Sequence, residues 1–346
     1  MQRVIVYQPL LGKTPAAIWR LAVVLCLLLA VAPSSLALEP VDITRAEDSL
    51  TLGPHIEHLK DPERSLELAD IRALDDQFSP ITGEVFNLGY TSAGHWVRFR
   101  LQNTGSEPLK RYLEFRSLFV DHLNLYRPQG AGEYEKIASG RLVAPPERPY
   151  NSRHFVFPIT VPPDTDAYYY LYADSADTLT IPLYLHTDDG LQQTELTSRS
   201  WLTFFQGLIV TMTVFSLFLL VTLRDRVYGY YIGVIVVHQG LFFTLFNGLG
   251  YQYFGLENPW WSREAMSVLV SLAMCMIMQF TRVLLATREQ QPRLDRLVVA
   301  IQTAALVIAG LGIFVDYYLS IRLANPLASI TALTLWVVGW NSLCKG

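Results

Sequence analysis

Cysteine is scarce in this chain: Cys26, Cys275 and Cys344 are the only three in 346 residues, and each lies in an apolar run. Residues 38–200 contain none, which excludes a disulfide framework or a thiolate metal site there and leaves a packed core to supply stability. Charge is missing elsewhere: Trp201 to Leu223 and Val227 to Leu249 each run 23 residues without Asp, Glu, Lys or Arg. A helix of that length reaches about 35 Å at ~1.5 Å per residue, enough to cross a hydrocarbon core of roughly 30 Å. Nucleotide-binding glycines, a phosphoacceptor histidine box and a Ser-His-acid set in a nucleophile elbow are also missing, so the chain reads as a non-enzyme that needs no cofactor.

A basic face is lacking too. The formal net charge is −4, and residues 38–200 hold 25 Asp and Glu against 15 Lys and Arg, while the remainder is basic. Phosphate binding requires cations that neutralise many phosphates, so nucleic acid is excluded as a partner of the soluble part. What remains is a protein of two kinds, 51% hydrophobic overall, with the apolar excess confined to its second half.

Residues 1–37 carry Arg3, Lys13 and Arg20, an apolar run from Leu21 to Ala32, and a small-x-small ending at Ser35-Leu36-Ala37. That pattern reads as a signal peptide cleaved after Ala37, with an uncleaved anchor as the alternative. Residues 38–80 are mixed and broken by prolines, with a short helix expected over Ser65 to Leu74. From Val85 the period becomes two: Val97, Phe99 and Leu101 alternate with Trp96, Arg98 and Arg100, and Leu179, Ile181, Leu183 and Leu185 alternate as cleanly. Turn signals at Asn103-Thr104-Gly105, Pro145-Pro146 and Pro162-Pro163-Asp164 separate these runs. Short alternating strands with no helix between them predict an all-β, jelly-roll-like sandwich over residues 38–190.

Trp96, Arg98, Arg100, Glu114, Tyr126 and Tyr184 all fall in outward sets of these strands. Aromatic faces with polar neighbours suit sugar rings or a small anion, and Arg98 with Arg100 could chelate a carboxylate, so these six are the candidate ligand-binding residues. A sheet edge covered by Trp96 and Tyr126, with solvated arginines, is the plainer reading. His55, His58, His95, His122, His154 and His186 are scattered singly, and no metal site is expected.

Residues 191–200 read as a polar tether, and residues 201–346 as an all-α transmembrane bundle with spans at about 201–223, 227–249, 265–281, 297–315 and 323–344. With the sandwich outside, the inner loops and tail hold Arg224, Arg226, Arg282, Arg288, Arg293, Arg296 and Lys345, against Arg263 and Arg322 outside, as the positive-inside rule requires. The spans contain His238, Gln239, Asn247 and Gln279 as polar exceptions, which helix-to-helix hydrogen bonding explains more simply than a proton relay.

The segments GYTSAGHWVRFRLQN at Gly89 to Asn103 and YLEFRSLFVDHLNLYRP at Tyr112 to Pro128 resemble the type 2 extracellular domain of bacterial seven-transmembrane receptors with diverse intracellular signalling modules (7TMR-DISM). The spans from Trp201 resemble the membrane domain of the same family. The resemblance implies a carbohydrate-binding-like jelly roll in the periplasm of a cytoplasmic-membrane receptor, controlling an output such as a histidine kinase or diguanylate cyclase. Against seven spans, five are counted and the chain stops at Lys345-Gly346, which reads as a chain lacking two spans and an output domain, or as a stand-alone form that pairs with another receptor. The expectation is a signal-transduction receptor whose sandwich senses a glycan or carboxylated metabolite, as a homodimer or in a hetero-complex. The alternatives are an outer domain that docks another sensor without a small ligand, and a transporter subunit.

Overall fold

The computed structural model describes residues 38–345 except 46, 82 and 131, so the expected signal peptide, with Cys26, lies outside the described residues. The first part consists of thirteen strands: β1 (Val41–Asp42), β2 (Ser49–Thr51), β3 (Glu57–Asp61), β4 (Ser79–Pro80), β5 (Phe86–Tyr90), β6 (Gly94–Asn103), β7 (Leu109–Phe115), β8 (His122–Gly130), β9 (Glu133–Ser139), β10 (Phe155–Val161), β11 (Thr165–Asp174), β12 (Thr178–Ile181) and β13 (Leu183–His186). One sheet runs β4-β3-β6-β11-β8-β9, with β1 added parallel to β6; the other runs β10-β7-β13-β2, and β12 pairs with β5 separately.

Alternation fixes which side of each strand faces inward. Val97, Phe99 and Leu101 of β6 and Leu171 of β11 meet Leu113 and Phe115 of β7 and Phe155, Phe157 and Ile159 of β10 in one core, all at 2% exposure or less. The expected all-β sandwich is therefore present. Beyond it, the outer face of the larger sheet carries a second apolar cluster of Leu59, Trp96 and Tyr170, roofed by Ile71 and Phe78. Ile71 belongs to α1 (Leu68–Ala73), whose Glu67 and Asp70 form a capping box that starts the helix within the expected Ser65–Leu74 stretch.

The second part is helical: α2 (Asp188–Leu223), α3 (Arg226–Phe246), α4 (Glu264–Leu284), α5 (Pro292–Phe314) and α6 (Tyr317–Lys345), each long and apolar enough to cross a membrane. α3 contains a wide π-helical segment over Ile235–Phe242. Between spans, Gln302 of α5 donates to Gln279 of α4 at 3.1 Å and Gln206 of α2 donates to Thr244 of α3 at 2.6 Å, the interhelical bonding that replaces water for polar groups in lipid.

The polar tether expected over residues 191–200 is instead helix, continuous with the first span. Thr187 caps it by accepting from the Gly190 amide at 3.1 Å, Asp188 and Asp189 complement the helix dipole in the first turn, and α2 contains no proline. Leu191 then anchors it by packing against Tyr112 and Val156 on the outer face of the smaller sheet. At 36 residues α2 is about 54 Å long, so about 24 Å of it extends beyond a ~30 Å hydrocarbon core, and its first turns lie on the sandwich. Gly190 is required there, because a Cβ at that position would come within 1.9 Å of the Asp48 carbonyl oxygen.

Candidate functional site

The smaller sheet's outer face holds a buried polar cluster. The β7–β13 and β10–β7 registers place Tyr184 and Val156 opposite Glu114, which brings His186 and His154 to its carboxylate from segments far apart in sequence, beside Arg116 two residues along the chain. Glu114, 1% exposed, accepts from His154 Nδ1 at 2.6 Å, from His186 Nε2 at 2.9 Å and from Arg116 Nη2 at 2.7 Å. Burial alone would push the Glu114 carboxyl up, but these three hydrogen bonds outweigh it and hold it well below the usual carboxylate range. Burial lowers the His154 imidazole despite the pull of Glu114. The Arg116 guanidinium stacks over the Tyr184 ring at 3.9 Å.

Between this cluster and α2 lies a cavity of about 100 Å³, lined by Arg116, Arg153 and His154 on the sandwich side and by Thr194, Glu195, Ser198 and Arg199 on the helix. Arg153 donates to Ser198 Oγ at 2.6 Å, and among the described residues it pairs with no carboxylate. Burial lowers its pKa, with Glu114 opposing. Glu195 approaches Arg199 at 3.8 Å through one oxygen, while its other oxygen, Oε1, is buried without a hydrogen-bond partner.

A second joint ties the sandwich to the bundle. Arg141, 1% exposed, pairs with Asp121 at 2.6 Å and with Asp177 at 2.6 Å, and the Tyr317 hydroxyl at the start of α6 donates to Asp177 at 2.8 Å. Arg263, just before α4, reaches Asp121 at 3.4 Å, and the Tyr317 ring lies 5.1 Å from both the Arg141 and Arg263 guanidiniums. Burial alone would lower Arg141, but Tyr317, Asp177 and Asp121 outweigh it and fix the charge. Beside this network Phe119 packs on Phe246 at the end of α3, and Tyr90 accepts a hydrogen bond from Asn325 of α6. Gly248, at φ +70°, lets the turn after α3 pass against the Arg153 carbonyl, which a Cβ would approach to 3.0 Å.

The six residues singled out from the sequence do not share a surface. Trp96, Arg98, Arg100 and Tyr126 lie on the larger sheet, whereas Glu114 and Tyr184 lie on the smaller. Trp96 is 2% exposed under the α1 roof, with Tyr126 and Tyr172 rings 5.3 and 5.2 Å away, so it presents no platform to solvent. Arg98 is buried against Glu57 at 2.6 Å and bonds Asp75, and its guanidinium covers the Phe78 ring at 4.3 Å. Arg100 is held bidentately by Asp166 at 2.6 Å. Both guanidiniums expected to chelate an anion are thus already engaged. Glu114 lines the cavity and Tyr184 supports Arg116. Of the missed residues, Arg153 and His154 precede β10, but no local motif marks them; only the sheet register brings them to Glu114. Among the described residues no group of three or more His, Cys, Asp or Glu is arranged to hold a metal ion.

Residues 53–187 match the family model for the 7TMR-DISM extracellular 2 domain, and residues 198–346 match the model for the 7TM diverse intracellular signalling domain. Both are sensor and receptor domains rather than catalytic ones. No curated protein matches the chain.

Proposed function

The chain belongs to the seven-transmembrane receptors with diverse intracellular signalling modules, and from that membership we propose that it is a membrane signal-transduction receptor whose sandwich binds a small carboxylated metabolite between the smaller sheet and α2. The observation that carries this reading is Arg153: a partly buried guanidinium with no carboxylate partner among the described residues, hydrogen-bonded to Ser198 on the helix that becomes the first span. Arg116 and Arg199 on the same walls are paired with Glu114 and Glu195, and Arg98 and Arg100 on the larger sheet with Glu57 and Asp166, so Arg153 is the cation of this cavity left for a ligand. A carboxylate entering here touches the sandwich and the span together, so its binding energy differs between positions of α2. Only that difference can shift a two-state equilibrium.

The cationic joint loops support the orientation in the cytoplasmic membrane with the sandwich in the periplasm. The turns before α4 and α6 meet the sandwich through Arg263 and Tyr317, and the connections at the other ends of the spans carry Arg224, Arg226, Arg288 and the Arg282–Asp295 pair, a cationic balance that supports taking that end as cytoplasmic. The test is calorimetric titration of the full chain in nanodiscs with propionate, lactate and alanine. At least one is expected to bind saturably, and Arg153→Ala to weaken it by about ten-fold or more, the loss of a charge-assisted hydrogen bond. Absence of saturable binding by all three, or binding untouched by Arg153→Ala, contradicts the proposal.

A further inference from the structure

The cavity beside α2 carries charge of both signs. On the sandwich wall stands Arg153, with Ser198 Oγ as its hydrogen-bond partner and no carboxylate. On the helix wall stands Glu195, whose Oε1 is buried and unpartnered although its side chain keeps 20% of its surface exposed. No ion pair joins the two, so among the described residues they face the same space without neutralising each other directly. The remaining charges of the walls are used: Arg116 is paired with Glu114, which also takes both histidines, and Arg199 approaches the other Glu195 oxygen, Oε2, at 3.8 Å.

A guanidinium bonded only to a hydroxyl and a carboxylate oxygen left without a hydrogen bond, across one cavity, are satisfied together by a ligand that brings the complementary pair. A simple carboxylate answers Arg153 and leaves Glu195 facing a like charge; a simple amine does the reverse. Size narrows the choice further. At about 100 Å³ the cavity admits a small molecule rather than an extended chain of residues or sugars. Arg199 at the rim is exposed, so a longer substituent can extend past it to solvent.

We infer that the ligand is a small zwitterion of the α-amino-acid class, its carboxylate on the Arg153 guanidinium and its ammonium on the Glu195 carboxylate. This rests on the carboxylate-receptor reading and adds the second recognition element. Both groups of the ligand sit on one carbon, so binding draws Glu195 of α2 and Arg153 of the sandwich toward a fixed separation, a direct way to set the height of the first span against the outer domain.

The experiment compares L-alanine, propionate and ethylamine with the full chain in nanodiscs. Alanine is expected to bind at least ten-fold more tightly than propionate, because a site built for a polar group rejects the analogue lacking it, and ethylamine to bind no better than propionate. Glu195→Gln, nearly isosteric and near the rim, is expected to keep the unfolding midpoint and lose the preference for alanine over propionate. Propionate binding as tightly as alanine, or a preference unchanged in Glu195→Gln, overturns the zwitterion while the carboxylate reading stands. Failure of alanine and propionate alike to bind overturns both.

Discussion

The sandwich finishes its two outer faces with covers of different kinds. On the larger sheet the cover is a short stretch of the same domain: α1 and Phe78 close over Leu59, Trp96 and Tyr170, and the charge that falls there, Arg98, is paired with Glu57 and Asp75. On the smaller sheet the cover is the start of a membrane span, and beneath it Glu114 is saturated with partners while Arg153 and Glu195 are left incompletely matched around a cavity. A roof that belongs to the core can move only if the core opens. A roof that belongs to a span can shift by a rearrangement of the few groups at its contact, which is where a receptor needs its compliance.

That contrast can be broken by mutation. Trp96→Ala should remove the centre of the sealed face and cost about 3–5 kcal/mol, seen as a lower unfolding midpoint, whereas Trp96→Phe should cost less than about 1.5 kcal/mol, since the buried Trp96 Nε1 has no partner to lose. Glu114→Gln should destabilise by about 1.5–3 kcal/mol, because three donors lose a charged acceptor, and unlike Trp96→Ala it should also alter binding of small carboxylates.

Acid sharpens the comparison. His58 and His95, joined at 2.8 Å on the larger sheet, are both lowered to about 4, chiefly by burial, with Lys60 and, for His95, His58 adding to it. A depressed histidine contributes stability that is present above the unfolded value of 6.5 and is lost as pH falls through about 4. His154 acts with the same sign, and Glu114 follows only below its ordinary 4.5; His122, raised by Asp174, acts oppositely, its contribution being complete below 6.5 and lost above. The midpoint should therefore fall by about 5 °C or more between pH 7 and pH 4.5, and His95→Gln should flatten that slope. An unchanged slope would place the acid sensitivity elsewhere, with His154 beneath α2.

How far the sequence revealed these faces follows from what a strand pattern encodes. Alternation in β6 and β12–β13 identified the inner core correctly, and the uncharged runs identified all five spans, because both signals are local in the chain. The same alternation placed Trp96 and Arg98 outward, which is true of the sheet, but outward meant beneath a roof built by residues 66–78. Glu114 was visible as an outward acid, yet His154 and His186 come to it only through the β10–β7–β13 pairing, and no spacing within one segment records that. Residues 191–200 looked like a tether because they are polar; Thr187, Asp188 and Leu191 were the signs that a helix had already begun.

The central claim is that the sandwich is clamped to the bundle, so that events at the α2 cavity reach the spans. The Arg141 joint is the tightest part of that clamp, and removing Arg141 leaves Asp121 only Arg263 at 3.4 Å and Asp177 only the Tyr317 hydroxyl, a loss of up to about 3–5 kcal/mol for a buried pair. Spin labels at Glu133 and Leu223, in an otherwise cysteine-free chain in nanodiscs, report the separation of the sandwich from the far end of α2. One narrow distance distribution is expected, broadening in Arg141→Met; equally narrow distributions in both proteins would show that Arg141 does not clamp the sandwich to the bundle.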